Sequence, residues 1–296
     1  MSNIILLGAG ASYGSGDTIP YPPPLGGHLF KNLESLGGIA STLPEELKLV
    51  FIDNFEKGML EFHNRYPSKT MQFQRELAGY LARFTPLDTN HYARLIKSIN
   101  PHRVIYSSIN YDLLFEISAA AQGLSTVYSN EKVKKTIRML KIHGSSNFWP
   151  DLMGAQIRGS TFISNGEAEI EAGVQALNQK DTITRAVEED SVAPAISLYA
   201  EGKQVRVCPS FVTVQQEMWR QSVKLAPKIF IVGVKINLID SHIWDVISES
   251  KATIYYFGLH NDRHDFESWR ENRKLKNCYF RESKFDESIG LMKKLM

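Results

Sequence analysis

Apolar positions along this chain keep two different rhythms. Six short runs are mostly apolar, rich in Val, Ile and Tyr: Ile4 to Leu7, Arg103 to Ser107, Ile137 to Ile142, Lys228 to Val232, Thr253 to Phe257 and Cys278 to Phe280. A strand covered on both faces reads this way, whereas a half-exposed strand alternates. The stretches between them are helix-like: Leu25 to Leu36, Thr42 to about Asn64, Lys69 to Phe84, Thr89 to Ile99, Tyr111 to Ala121, then 241–250, 262–273 and 285–295. Phe73, Leu77, Tyr80, Leu81 and Phe84 make one apolar stripe at helical spacing, which core packing explains. Thr42-Leu-Pro-Glu45 has the form of a capping box with Pro44 in the first turn. The alternation predicts an α/β fold: a parallel sheet of about six strands with helices on both faces and ligands at the carboxyl ends of the strands. A single domain over 1–296 is expected, with a helical module over 25–100 after the first strand and a second insertion over 150–204.

The first strand breaks into Gly8-Ala-Gly-Ala-Ser12. Small side chains there let backbone N–H groups approach an anion, so the turn reads as a diphosphate seat. The dinucleotide fingerprint of ordinary dehydrogenases requires a third glycine at position 13, where Tyr13 stands, and no acid follows at the usual distance, since Glu34 falls inside a helix-like stretch. Prolines at 20, 22, 23 and 24 forbid a long crossover helix from Ala11. An ordinary dehydrogenase is therefore disfavoured, and a plain strand-to-loop turn is the simplest alternative.

Composition changes the picture only by exclusion. A net charge of +2 over 296 residues gives no electrostatic case for binding nucleic acid. The first apolar run is too short for a signal peptide and no stretch is long enough to span a bilayer, so no membrane partner and a cytoplasmic location are expected. Cys208 and Cys278, 70 residues apart and outside any C-x-x-C, cannot build a four-cysteine zinc site, and no metal is assigned. Within 165–190, seven acids (Glu167, Glu169, Glu171, Asp181, Glu188, Glu189, Asp190) face only Lys180 and Arg185, a net of −5. A solvated helical face is the plain reading, and a lid or assembly surface the sharper one.

Three strand ends carry small polar residues: Ser107-Ser-Ile-Asn110-Tyr-Asp112, Lys141-Ile-His143-Gly144-Ser145-Ser146 and Val232-Gly233. Taken singly, Asn110 fits a helix N-cap, Asp112 a residue complementing a helix dipole, and His143-Gly144 a turn with a satisfied histidine. Taken in order with the glycine turn, they resemble the NAD-binding core of the sirtuin (silent information regulator) family, a Rossmann-like fold. In that family the glycine turn holds the diphosphate, the asparagine and histidine flank the nicotinamide ribose, and the later glycine lies near the adenosine ribose. The resemblance assigns Asn110 and His143 as catalytic, and Gly8, Ala9, Gly10, Ala11, Ser12, Asp112, Gly144, Ser145 and Gly233 as cofactor-binding. It also equates Ile19-Pro20 with a flexible cofactor loop.

The resemblance covers about half of the chain. The four zinc cysteines of the deacylases are absent, Tyr21 to Pro24 replace an expected arginine, and Gly233-Val-Lys235 replaces Gly-Thr-Ser, all of which point away from protein deacylation. Ile-Asn-Tyr-Asp, Lys-Ile-His-Gly-Ser and Val-Gly followed by Asp240 look like the bacterial sirtuin-like domains that cleave NAD+ in anti-phage defence. That likeness implies an NAD+ glycohydrolase with NAD+ as substrate, no zinc, homo-oligomeric assembly and a partner ATPase of the DNA-translocase type. A non-catalytic NAD or ADP-ribose-binding subunit and an NAD-dependent deacylase remain as alternatives. Mechanistically, the neutral carboxamide of Asn110 orients water or ribose hydroxyls without trapping the oxocarbenium-like cation, and His143 accepts a proton. Asp112 supports the loop or the ribose. Asp240 reads as the N-cap of the next helix and, with His242, stands close enough to the fourth strand to be a further candidate.

Overall fold

The computed structural model describes residues 1–158, 169–197 and 205–296. The chain starts with β1 (Asn3–Leu7), α1 (Ala9–Tyr13) and β2 (Thr18–Ile19), then makes a helical excursion through α2 (Gly26–Ser35), α3 (Glu45–Asp53), α4 (Phe55–Arg65) and α5 (Thr70–Leu81). β3 (Thr85–Pro86) and α6 (His91–Ser98) return it to the sheet, which resumes with β4 (Val104–Ser108), α7 (Leu114–Ala120), β5 (Ser125–Val127) and β6 (Thr136–Lys141). β7 (Phe148–Arg158) and β8 (Glu169–Ala176) pair antiparallel, followed by α8 (Gln179–Glu188) and α9 (Pro209–Leu225). The last third is β9 (Lys228–Val232), α10 (Ser241–Ser248), β10 (Thr253–Gly258), α11 (Arg263–Asn272), β11 (Cys278–Glu282) and α12 (Phe285–Leu295).

The expected parallel sheet is present, with seven strands in the order β11-β10-β9-β1-β4-β6-β5. Alternate residues of each strand feed opposite faces. Ile5, Leu7, Tyr106, Met139, Phe230 and Val232 pack with α6, α7, α12 and the helical excursion. Ile4, Leu6, Ile105, Leu140, Ile229 and Ile231 pack with Trp219 of α9, Trp244 of α10 and Trp269 of α11. Burial on both faces is why these strands read as mainly apolar runs. The excursion shares one apolar cluster with the sheet, centred on Phe51, which stacks on Phe30 at 4.4 Å and on Phe73 at 5.6 Å.

Four local expectations are corrected. The helix expected from Thr42 to about Asn64 is two helices, because Asn54 leaves helical geometry and its side chain accepts from Lys57 N to cap α4. Thr42 closes no capping box: its hydroxyl donates to the Ile39 carbonyl, and Pro44 stands at the N-cap of α3. The acids of the second insertion do not share one helical face, since Glu169 and Glu171 lie on β8 and only the later ones on α8 and the segment after it. Of that insertion, 159–168 with Glu167 and 198–204 lie outside the described residues. Finally, the sheet has a seventh strand, β5, and the 17-residue α9 fills a region with no assigned element.

Candidate active site

Register decides which residues meet at the carboxyl edge. Leu7 pairs with Ser108 on one side and Val232 on the other, and Ser108 in turn pairs with Lys141. The bonds continue one step further, from Gly8 N to Val232 O (3.0 Å), Ile109 N to Leu7 O (3.1 Å) and Ile142 N to Ser108 O (3.2 Å). Gly8, Asn110, His143 and Gly233 therefore stand at one edge, where the chain order reverses between β1 and β9. Such a switch point is where open α/β sheets bind ligands.

The glycine turn is packed backbone against backbone. Gly10 N donates to Gly233 O at 2.9 Å and Ala11 N to Gly8 O at 2.9 Å. Gly233 has φ +64°, and a side chain there would collide with the backbone of Gly10 and Ala11. The amides of Gly8, Gly10 and Ala11 thus point into the protein, which departs from the expectation that they face an anion. What the turn presents outward is the exposed Ala9 and the half-buried Gly10. α1 ends after five residues at Gly14, well short of the proline run, so no long crossover helix forms.

Ser12 is the hub beneath the turn. Its hydroxyl donates to Asp112 Oδ2 at 2.7 Å and receives Asn110 Nδ2 at 2.9 Å. Tyr92 Oη, also at 2.9 Å, must then be a donor, since a hydroxyl has one proton and two lone pairs. Burial, reinforced by the Asp112 charge, pushes the Tyr92 phenol well above its ordinary range, so it keeps the proton it donates. Asn110 Nδ2 also donates to Gly8 O at 2.8 Å, which commits both amide hydrogens. Asp112 Oδ1 accepts from Leu114 N, so Asp112, not Asn110, caps the start of α7. Ser12 and Asp112 hold the loop: the Ser12 hydroxyl donates once and accepts twice, and each Asp112 oxygen accepts one bond.

Lys141, in the Lys-Ile-His-Gly-Ser stretch, has a role that appears only in the folded chain. Its buried ammonium donates to Asn110 O at 3.0 Å and Asp112 O at 2.7 Å, and pairs with Glu116 Oε1 at 3.3 Å. Three donors meet three acceptors and clamp the Asn110 loop to β6. Burial raises the Glu116 carboxyl above the usual carboxylate range, with the Lys141 charge pulling the other way. The signal was a lysine at the inner end of a strand that reads as buried, since a lysine is almost never fully buried without a partner.

His143 and Ser145 are also buried, and the segment 193–197 packs over them. Ser145 N donates to Ala195 O at 3.0 Å and Ser197 N to His143 O at 2.9 Å. Gly144 takes φ +80°, and a side chain on it would strike Ala195 O. Gly144 and Ser145 therefore seat a covering strap instead of lining an open edge. His143 Nε2 lies 2.8 Å from His242 Nε2, so the sheet edge touches the first turn of α10. Asp240 occupies the N-cap position of α10, yet its side chain makes no capping bond; its carboxylate belongs to the same cluster as the two imidazoles.

The loop equated with a flexible cofactor loop is tied down. Asn90 Nδ2 reaches Ser15 Oγ, Asp17 O and Thr18 Oγ1 at 2.9–3.2 Å, His91 N donates to Ser15 O, and β2 pairs with β3. A pocket of about 710 Å³ opens beyond it, walled by Tyr13, Tyr21, Pro22, Pro24, Leu25 and His28. A second, of about 230 Å³, lies past the ends of β10 and β11 between His260, Glu282 and Lys284. Neither is lined by Asn110 or His143. No helix among the described residues is long and apolar enough to cross a membrane. No family model matches this chain, and no curated protein matches it.

Proposed function

We propose that this chain is a sirtuin-like NAD+ glycohydrolase that cleaves NAD+ to nicotinamide and ADP-ribose. The observation that carries the reading is the juxtaposition of Asn110 and His143. Each stands two residues beyond the register pair Ser108 and Lys141 on adjacent strands, beside the glycine turn at the switch point. Cleaving the bond between nicotinamide and ribose builds positive charge on the sugar while a neutral pyridine leaves. The Oδ1 of Asn110, with its amide hydrogens committed elsewhere, turns the negative end of a fixed dipole toward that charge and orients the attacking water. His143 takes the proton of that water, and His242 offers the proton its next acceptor. The roughly 710 Å³ pocket has the size of a small-molecule site, and Tyr13 and Tyr21 on its wall offer flat faces to an aromatic ring.

The test is nicotinamide release from NAD+ by the purified chain, alone and with the ATPase partner that the resemblance implies. Asn110→Ala and His143→Ala are expected to stay folded and lose activity by about 10²–10⁴-fold. Full activity in both variants, or no release under any of these conditions, overturns the proposal. A defence role, homo-oligomeric assembly and gating by the partner belong to the same proposal and rest on the resemblance.

One observation favours a second reading, a subunit that binds NAD+ or ADP-ribose without turnover. Asn110 and His143 are 7% and 2% exposed, and neither lines either of the two pockets described above. Tight NAD+ binding with no nicotinamide release over hours would select it.

A further inference from the structure

We infer that His143, Asp240 and His242 form a binding site for one divalent transition-metal ion. The inference goes beyond the glycohydrolase reading, and it reverses the expectation from the cysteine count that the chain takes no metal. That count tested only for thiolate ligands, whereas two imidazoles and a carboxylate are an equally established donor set for zinc and its neighbours. Here the three ligand atoms lie within 4.8 Å of one another, supplied by two separate elements. His143 comes from the end of β6, and Asp240 with His242 from the first turn of α10.

Three features separate this cluster from a chance gathering of polar groups. First, His143 and Asp240 are buried and His242 is half-buried, so the cluster sits at the margin of the interior and not on the open surface. Second, the two Nε2 atoms face each other at 2.8 Å, so one must donate and the other accept, and a single proton sits where an ion would. Third, Asp240 stands at an N-cap without capping, so the usual reason for an aspartate there does not account for it. An ion about 2.0–2.1 Å from each ligand requires donor separations of about 3.3 Å, reached by rotating the imidazoles slightly apart and turning the carboxylate inward. The positive end of the α10 dipole opposes a cation, and the Asp240 charge at that same end offsets it. An ion takes the same Nε2 lone pair that proton transfer uses, so a loaded chain and an unloaded one differ in any chemistry that depends on His143.

The probe is Zn2+ titrated calorimetrically into chelator-stripped, desalted full chain, with Co2+ d–d absorption as a second readout. The expected result is one ion per chain at a micromolar or lower dissociation constant. Asp240→Asn, which keeps the side-chain shape, and His242→Ala should each weaken it at least about tenfold. Thermal melts confirm that both fold, and His102→Ala, at an exposed histidine, serves as the unaffected control. Uptake no tighter than that of the His143→Ala/His242→Ala double variant overturns the inference. Uptake without nicotinamide release would leave this site standing and end the glycohydrolase reading; release without uptake would do the reverse.

Discussion

Replacing Lys141 by methionine removes an ammonium and keeps most of its stem. Three acceptors lose their donor together: Asn110 O, Asp112 O and Glu116 Oε1, at 3.0, 2.7 and 3.3 Å. Removing one partner of a buried ion pair costs about 3–5 kcal/mol, and the stranded carbonyls keep the figure from falling below that range. Glu116 sets the ceiling, because a carboxyl already pushed up by burial protonates once its lysine is gone. A group whose folded pKa is raised contributes stability that is present at low pH and lost as pH rises through the folded value. The deficit of Lys141→Met should therefore shrink between pH 8 and pH 5. Adding Glu116→Gln should recover part of it at pH 8, with a coupling of about 0.5–3 kcal/mol. Urea unfolding of wild type, both single variants and the double variant at three pH values measures all of this. A Lys141→Met cost under about 1 kcal/mol, or a deficit that does not change with pH, would refute the clamp and the charge state assigned to it.

Gly233→Ala forces a side chain into a left-handed position against Gly10 and Ala11; we expect a loss of about 2 kcal/mol or more in urea unfolding, with stability within about 0.5 kcal/mol of wild type counting against the interlocked turn. Phe51→Ala empties the centre of the Phe30 and Phe73 stack and should cost about 3–5 kcal/mol, read from the same transition. Burial pushes the Cys208 thiol up to about 11. It should resist alkylation in the native chain at pH 8. Because an unfolded thiol ionises near 8.5, the stability it contributes is complete below about that pH and lost as pH climbs toward 11. Cys208→Ala should flatten the alkaline fall in stability, and an unchanged slope would refute this.

The sheet was legible because its strands are buried on both faces and so write themselves as short, mainly apolar runs without strict alternation. The candidate edge was legible because its strands end in small polar residues. α9 was not, since its buried side carries Gln215 and Ser222 among Val212, Trp219 and Val223, which breaks the apolar period. Those polar groups have uses that only the fold reveals: Gln215 accepts from Lys141 N, and the neighbouring Gln216 donates to Ile142 O, steadying the strand that carries His143. β5 is three residues long and lies at the sheet edge, too short for any pattern. The Asn110 network was invisible for another reason. Ser12, Tyr92, Asp112 and Lys141 come from four distant parts of the chain, and no local spacing announces that they share hydrogen bonds.

The helical excursion leaves the sheet after β1 and comes home beside its own point of departure, where Asn90 grips Ser15, Asp17 and Thr18. The stretch behind Tyr13 therefore keeps its shape only while the homeward end of the excursion stays docked, with a single asparagine fastening it at three points.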